Sequence, residues 1–167
     1  MPSVLFVCTA NRFRSPLAAA FLRKNLEELG VSGSWHVSSA GTWAAPGLPV
    51  MPGIAEAARD FGIELSAHQS VRVNSHILSK YDLILVMEAS QKEALVTEDP
   101  ALGERVYPLS EVTERRSYDI PDALGSAQEM RAVVAELDSL IRQGLDSICV
   151  LATYLSNSRN QANPRHG

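Results

Sequence analysis

Two short apolar runs limit the fold of this 167-residue chain more than any other feature. Residues 3–7 (Ser-Val-Leu-Phe-Val) and 81–87 (Tyr-Asp-Leu-Ile-Leu-Val-Met) are nearly continuous in apolar side chains. Such runs are typical of strands buried on both faces, because a half-exposed strand alternates polar and apolar residues. We therefore expect a parallel sheet that is covered by helices.

Segments with helical and strand patterns alternate along the chain. For the first helix, Ser15 is the expected cap, Pro16 lies in the first turn and Gly30 ends the helix. The alternation predicts an α/β fold, a single doubly wound domain with a central four-stranded parallel sheet and helices on both faces. The predicted strands are residues 3–7, 35–39, 81–87 and 105–109, and the predicted helices are residues 15–29, 54–61, 89–97 and 126–142.

The last third of the chain contains segments without clear periodicity. Residues 111–123 are expected to form a charged, irregular loop. Residues 156–167 are rich in Ser and Asn, a composition typical of disorder. We predict a domain over residues 1–144 and a C-terminal extension over residues 145–167, the last part of which is disordered.

Charge and cysteine content exclude several classes of protein. The chain has 15 basic and 19 acidic side chains, a net charge of -4, whereas nucleic-acid-binding domains usually carry a basic excess. It has no apolar run of the roughly 18 residues that a membrane span needs, and its start lacks the basic residues of a secretory signal. Two cysteines, Cys8 and Cys149, are too few for a disulfide framework or a zinc site, which favours a reducing cytoplasm.

The turn after the first strand has the residues of an anion site. Ligands of open parallel sheets bind at the carboxyl ends of strands, where Cys8 is expected, and Arg14 follows six residues later. Backbone N–H groups of the turn and the start of the next helix add positive potential, which favours a thiolate at Cys8. Arg14 can bind two phosphate oxygens, and Ser15 can donate to the sulfur. The alternative is an ordinary buried cysteine beside a solvated arginine.

Group transfer through cysteine also requires a general acid for the leaving group. The loop before the predicted last helix offers Asp119 and Asp122, on either side of Ile120-Pro121. A bound dianion favours the protonated form of a neighbouring carboxyl group, as an acid requires. The spacing leaves the choice between the two open, and either aspartate could instead be a turn or capping residue.

The loop and four later motifs resemble the low-molecular-weight protein tyrosine phosphatases, most closely the bacterial members. The family hallmark is Cys-x-Gly-Asn-x-Cys-Arg-Ser-Pro after a strand. The chain matches it at Cys8, Asn11, Arg14, Ser15 and Pro16. The later matches are residues 39–42, residues 62–63 with His68, residues 81–87 and residues 119–122, so the resemblance covers about residues 3–144.

The resemblance implies a phosphotyrosine protein phosphatase that hydrolyses phosphomonoesters through a cysteinyl-phosphate intermediate. Cys8 would be the nucleophile, Arg14 the phosphate clamp and Asp122 the general acid, with Asp119 as a supporting carboxylate. Asn11 would organise the loop. The implied phosphate-binding residues are Thr9, Ala10, Asn11, Arg12, Phe13 and Ser15, and the candidate residues of the cleft rim are Trp43 and Leu124.

The chain departs from the family at three places. Ala10 replaces a glycine, which costs on the order of 1 kcal/mol if the position needs an unusual backbone conformation. Phe13 replaces the second loop cysteine, which in the family traps oxidised enzyme as a disulfide. Ala123 and Leu124 replace a Pro-Tyr pair, so one aromatic wall of the cleft is absent and strict phosphotyrosine preference is less strongly implied.

The resemblance further implies a phosphotyrosine protein as partner, such as a bacterial tyrosine kinase of exopolysaccharide export. We expect no nucleic acid, no membrane insertion, no metal or other cofactor, and a monomer or weak dimer in the cytoplasm. Two alternatives remain. A thiol-dependent arsenate reductase shares this fold but needs resolving cysteines, for which only Cys149 is available. A phosphate- or phosphoprotein-binding module with little catalysis would suit Ala10 and Phe13.

Overall fold

A computed structural model describes residues 1–122 and 125–162 of the chain. Its four strands are β1 (Ser3–Cys8), β2 (His36–Gly41), β3 (Leu83–Val86) and β4 (Val106–Pro108). They form one parallel sheet in the order β2-β1-β3-β4. Cys8 pairs with Gly41 at the end of β2, and Val7 pairs with Val86 at the end of β3. The carboxyl end of β1 therefore lies between the ends of β2 and β3.

Helices cover both faces of this sheet. The described helices are α1 (Arg14–Glu28), α2 (Ile54–Arg59), α3 (Ser75–Ser79), α4 (Ala89–Glu98), α5 (Leu109–Glu114), α6 (Ala127–Gln143) and α7 (Leu145–Ala162). Alternate residues of β1 belong to two apolar cores, because successive side chains of a strand point to opposite faces. Phe6 packs in the core that α1, α2, α6 and α7 share, whereas Leu5 packs in the core beneath α3 and α4.

The predicted fold class is confirmed, because all four strands and the parallel doubly wound arrangement are present. The predicted long helices differ from the observed ones by only one or two residues at each end. The described part of the chain contains no helix with the length and hydropathy that crossing a bilayer requires.

Two local predictions are wrong. Helix α1 begins at Arg14, and its cap residue, Phe13, forms no side-chain hydrogen bond. Ser15 therefore lies inside the first turn, and its hydroxyl contacts Cys8 Sγ.

The segment expected to be irregular from residue 111 contains most of α5. Leu109 is buried and Val112 packs on the main core one turn later, while Glu111 and Glu114 remain exposed. Its charged residues concealed this short amphipathic helix.

Disorder from residue 156 is also wrong as far as residue 162, because α7 continues to Ala162. Ile148, Ala152 and Leu155 form a buried stripe on α7 and join the main core. Beyond them, Arg159 binds the Asp82 carboxylate at 2.8 Å and holds the end of the helix against the sheet. The predicted end of the domain at residue 144 stays a prediction, and residues 163–167 lie outside the described residues.

Candidate active site

The loop between β1 and α1 encloses the sulfur of Cys8. The backbone N–H of Asn11 donates to Cys8 Sγ at 3.3 Å, and the hydroxyl oxygen of Ser15 lies 3.0 Å from the same sulfur. The amino end of α1 adjoins the loop, so the helix dipole contributes positive potential there. Donors and dipole together suit a negatively charged sulfur.

Asn11 fixes the shape of this loop. Its φ of 56° lies in the left-handed region, which asparagine adopts more readily than most residues. Its Nδ2 donates to Ser15 Oγ and Ser39 Oγ, both at 2.9 Å, and its Oδ1 accepts from the Val71 backbone N–H at 2.8 Å. The buried amide thus ties the loop to two later segments, as an organising residue must.

The same bonds direct the hydroxyl of Ser15. Because Asn11 donates to Ser15 Oγ, the hydroxyl hydrogen of Ser15 is available for an acceptor. The acceptors in reach are Cys8 Sγ at 3.0 Å and the Ala40 carbonyl oxygen at 3.3 Å. An ionised sulfur is the stronger acceptor of the two. Ser15 is therefore placed to donate to a thiolate at Cys8.

Two residues outside the loop, Gly41 and His68, pack against or bond to its backbone. A Cβ atom on Gly41 would overlap the Thr9 carbonyl oxygen and lie 2.9 Å from Asn11 N, so only glycine fits at this position. His68 Nε2 donates to the Asn11 carbonyl oxygen at 2.7 Å. Burial lowers the pKa of His68, and the bond to Asn11 opposes that shift. His68 thus supports the loop through a hydrogen bond to its backbone.

Arg14 is the most deeply buried cation of the described chain, with 2% of its surface exposed. Its Nη1 donates to the Glu88 carboxylate and, at 2.8 Å, to the Ile120 carbonyl oxygen. Its Nη2 lies 3.6 Å from Asp122 Oδ2. Its Nε has no hydrogen-bond partner in the described part of the chain. A buried N–H without a partner is costly, and an acceptor bound at this site would offset that cost.

The Glu88 contact was missed by sequence reasoning. Glu88 caps α4 through a capping box with Gln91 and lies two residues after the end of β3, so its carboxylate stands at the same sheet edge as Cys8. It binds Nη1 of the Arg14 guanidinium, whereas Nη2 lies near Asp122 and Nε has no partner among the described residues. An acidic residue directly after the strongest predicted strand was the signal that could have revealed it.

Asp122 lies on a segment that is anchored at three points. The Ser110 hydroxyl contacts both the backbone N–H and the carbonyl oxygen of Tyr118. Asp119 Oδ1 accepts from the Ala89 N–H at 2.8 Å, and the Ile120 N–H donates to the Met87 carbonyl oxygen at 2.9 Å. Asp119 is therefore tied to the start of α4. The side chain of Asp122 remains 43% exposed beside Arg14.

The other residues predicted to bind phosphate lie in the same loop between β1 and α1. Thr9 Oγ1 accepts from Gln91 Nε2 at 3.2 Å. Ala10 is not among the described residues with positive φ, so its replacement of glycine brings no strain of that kind. Arg12 is partly exposed and Phe13 is buried in the main core.

The two candidate rim residues differ in what is known of them. Trp43 is 74% exposed, and its backbone N–H donates to the Thr9 carbonyl oxygen at 2.9 Å, which places it beside the loop. Leu124 lies outside the described residues.

The described part of the chain contains neither a candidate metal site nor a second cysteine with the properties of a resolving thiol. No group of three or more His, Cys, Asp or Glu side chains there could hold a metal ion. Cys8 and Cys149 are both free. Burial, with a smaller contribution from Asp146, raises the pKa of the Cys149 thiol, which disfavours the thiolate that a resolving cysteine would need.

A strand-end cysteine, an amide-lined loop, a buried arginine and a carboxyl group on an adjacent loop define the class of cysteine-dependent phosphoester hydrolases. Comparison with models of protein families matches residues 3–152 to "Low molecular weight phosphotyrosine protein phosphatase". The chain therefore belongs to the low molecular weight phosphotyrosine protein phosphatase family.

Individual relatives agree with this assignment. The chain is 34% identical over 145 residues to a protein named as a probable low molecular weight protein-tyrosine-phosphatase, EpsP, of Ralstonia nicotianae, which covers 87% of this chain and 92% of that protein. It is 33% identical over 139 residues to a protein-arginine-phosphatase of Geobacillus stearothermophilus, covering 83% and 90%. The solved low molecular weight protein tyrosine phosphatase of T. tengcongensis superposes with a TM-score of 0.81 at 29% identity, covering 87% and 99%.

The predicted family and the predicted enzyme class, a cysteine-dependent phosphomonoester hydrolase, are thus confirmed. Neither the arsenate reductase nor the binding module is favoured by these relatives.

Proposed function

We propose that this chain removes phosphate from phosphotyrosine residues in proteins, with Cys8 as nucleophile, Arg14 as phosphate clamp and Asp122 as general acid. The observation that carries the proposal is the unpartnered Nε of the buried Arg14, which follows a loop whose Cys8 sulfur already has two hydrogen-bonding neighbours. A tetrahedral phosphate dianion fits this combination, because the guanidinium can bind two of its oxygens while the sulfur approaches phosphorus.

In the first step the Cys8 thiolate attacks phosphorus in line with the ester bond. The S–P bond forms, the P–O bond breaks, and Asp122 gives its proton to the departing phenolate oxygen. Arg14 and the amide groups of the loop hold the three equatorial oxygens, where negative charge accumulates. Asp122 can reach the leaving group because it is exposed beside Arg14.

In the second step water attacks the phosphorus of the cysteinyl phosphate. Asp122, now ionised, accepts a proton from that water, the S–P bond breaks, and phosphate leaves. The donors around Cys8 Sγ stabilise the departing thiolate. The enzyme thus returns to its starting state, with Asp122 protonated and Cys8 ionised.

Asp122→Asn tests the acid role most directly. We expect a loss of roughly 10²–10⁴-fold in kcat/KM on aryl phosphates with poor leaving groups, and a smaller loss on those with good ones, because a stable leaving group needs no proton. The measurement is a leaving-group series on wild type and variant. Asp119→Asn is the matched control, since Asp119 is bound to the start of α4 and should not change the slope. Equal losses along the series would contradict the role of Asp122.

Phosphoarginine in proteins is the second candidate substrate, because one relative at 33% identity is named a protein-arginine-phosphatase. Two peptides that differ only in carrying phosphotyrosine or phosphoarginine separate the two. The proposal predicts a higher kcat/KM on the phosphotyrosine peptide, and the reverse order would replace it with the second candidate.

The proposed protein substrate is a tyrosine-phosphorylated kinase in the cytoplasm. The proposed oligomeric state of this chain is a monomer or weak dimer. Two free cysteines, one of them the nucleophile, suit a reducing compartment. Dephosphorylation of such a kinase by the purified enzyme tests the substrate. Sedimentation of the enzyme measures its mass and tests the oligomeric state.

A further inference from the structure

The two sides of the phosphate loop differ sharply in chemistry. On the β3 side stand the carboxyl groups of Glu88, Asp119 and Asp122. On the β2 side the described surface is apolar and basic. It comprises Arg12, Trp43, Leu48, Val71 and Arg72, which we call the β2 shoulder.

The β2 shoulder is built on backbone that is fixed to the loop. The Trp43 N–H donates to the Thr9 carbonyl oxygen at 2.9 Å, and the Gly41 N–H donates to the Val71 carbonyl oxygen at 2.8 Å. Ser70 and Leu48 are joined by an N–H···O bond of 2.8 Å. A surface held this firmly can bind a partner with little loss of conformational entropy.

Three exposed apolar side chains gather there. Trp43, Leu48 and Val71 are each more than a third exposed, although each lies in a segment packed next to the catalytic loop. Apolar side chains that cluster on a surface, unlike scattered ones, mark interaction sites.

The two arginines of the β2 shoulder, Arg12 and Arg72, form no ion pair within the described part of the chain. The Arg72 guanidinium stacks on the Trp43 ring at 4.8 Å from its centroid, and Arg12 Nε donates to the Pro49 carbonyl oxygen at 2.7 Å. No carboxylate of the described chain forms an ion pair with either arginine. The chain as a whole has a net charge of -4, so this local positive surface is unusual for it.

We infer that the β2 shoulder binds the segment next to the phosphorylated residue of a protein substrate, and that this segment is acidic with an apolar residue. Carboxylates of the segment pair with Arg72 and Arg12, and its apolar side chain covers Trp43 and Leu48. The exposed carboxylate of Asp119 on the β3 side repels the same acidic segment, so charge also sets the direction in which the substrate lies. The inference rests on the proposed function and names its substrate class.

The test compares two phosphotyrosine peptides that differ only in their flanking residues. One carries Asp and Glu with a Leu, and the other carries Asn and Gln with the same Leu. We expect wild type to prefer the acidic peptide about tenfold in kcat/KM, mainly through KM, and the preference to fall as salt is raised. Because the measured quantity is a ratio, a general loss of activity in a variant cancels.

Arg72→Gln should reduce this ratio about two- to fivefold, the usual effect of removing one partner of an exposed ion pair. Arg72→Lys keeps the charge and should retain most of the preference. Lys80→Gln is the matched control, because it removes one exposed positive charge next to the amino end of β3, on the opposite edge of the sheet. Its ratio should equal that of wild type.

The outcomes are distinct. If wild type hydrolyses both peptides with equal kcat/KM, or if Arg72→Gln leaves the ratio unchanged, the inference is wrong while the proposed function stands. If wild type hydrolyses neither peptide nor p-nitrophenyl phosphate, the proposed function itself fails. Sedimentation showing a dimer that Arg72→Gln dissociates, with no peptide preference, would assign the shoulder to a second copy of the chain and overturn the inference.

Discussion

Each of the two edges of the sheet contains a network of charged side chains, and among the described residues only the carboxyl edge has a buried donor without a partner. At the amino edge, Asp82 accepts from the Ser3 N–H, the Ser3 hydroxyl and Arg159. At the carboxyl edge, Arg14 binds Glu88 and the Ile120 carbonyl oxygen but keeps an unpartnered Nε.

This difference separates stability from function. Among the described residues, Arg14 Nε is the one buried side-chain polar atom without a partner. At the amino edge these groups are bonded to one another, so the network fastens α7 to the sheet. At the carboxyl edge the burial cost of the guanidinium is incompletely offset, which is typical of a site shaped for an anion.

The largest expected effect follows from breaking the carboxyl edge. Arg14→Lys should reduce kcat/KM on p-nitrophenyl phosphate by about 10²–10³-fold, because one ammonium cannot bind Glu88 and also hold two phosphate oxygens in a planar fork. Circular dichroism should show the variant folded at the assay temperature. Inhibition by inorganic phosphate should weaken in parallel. An Arg14→Lys enzyme within tenfold of wild type would mean that the arginine is structural.

Disrupting the charge network at the amino edge should lower stability and leave activity nearly unchanged. Asp82→Asn should lower the free energy of unfolding by about 2 kcal/mol, because Arg159 loses its ionised partner and the Ser3 donors lose a carboxylate. kcat/KM should stay within twofold of wild type. Urea denaturation and the p-nitrophenyl phosphate assay measure the two quantities.

The exposed pair Arg59–Glu64 provides the control for that comparison. Both side chains are more than half exposed, so Arg59→Gln should change the free energy of unfolding by less than about 0.5 kcal/mol. A loss for Asp82→Asn no larger than this would show that the amino-edge network contributes little. A loss of activity in Asp82→Asn without loss of stability would contradict the division between the two edges.

What the sequence could predict depends on how local the interactions are. Cys8, Arg14 and Ser15 lie on one short loop and the helix start that follows it, so strand, loop and helix signals alone place them in the same site. The alternation of strands and helices likewise determined the sheet. The contacts of Asn11 with Ser39 and Val71 join segments 28 and 60 residues apart, and nothing local indicates them.

Two of the errors, the disorder predicted for α7 and the missed contact of Glu88, share this cause. Helix α7 is stabilised by packing on the sheet and by Arg159 binding Asp82, which lies 77 residues earlier, whereas its own Ser and Asn residues favour disorder. Glu88 reaches Arg14 over 74 residues. Asp122 could be selected over Asp119 only through the family resemblance, because the spacing alone leaves the choice between the two aspartates open.

The central claim is that Cys8 carries the phosphoryl group during turnover. The most direct measurement is rapid quenching of the enzyme during hydrolysis of a phosphotyrosine peptide, followed by mass spectrometry of its proteolytic fragments. We predict the added mass of one phosphoryl group on the fragment that contains Cys8 and none in Cys8→Ala, which should be slower by at least about 10⁴-fold. Turnover without phosphate on Cys8, or a Cys8→Ala enzyme with near-normal activity, would contradict the claim.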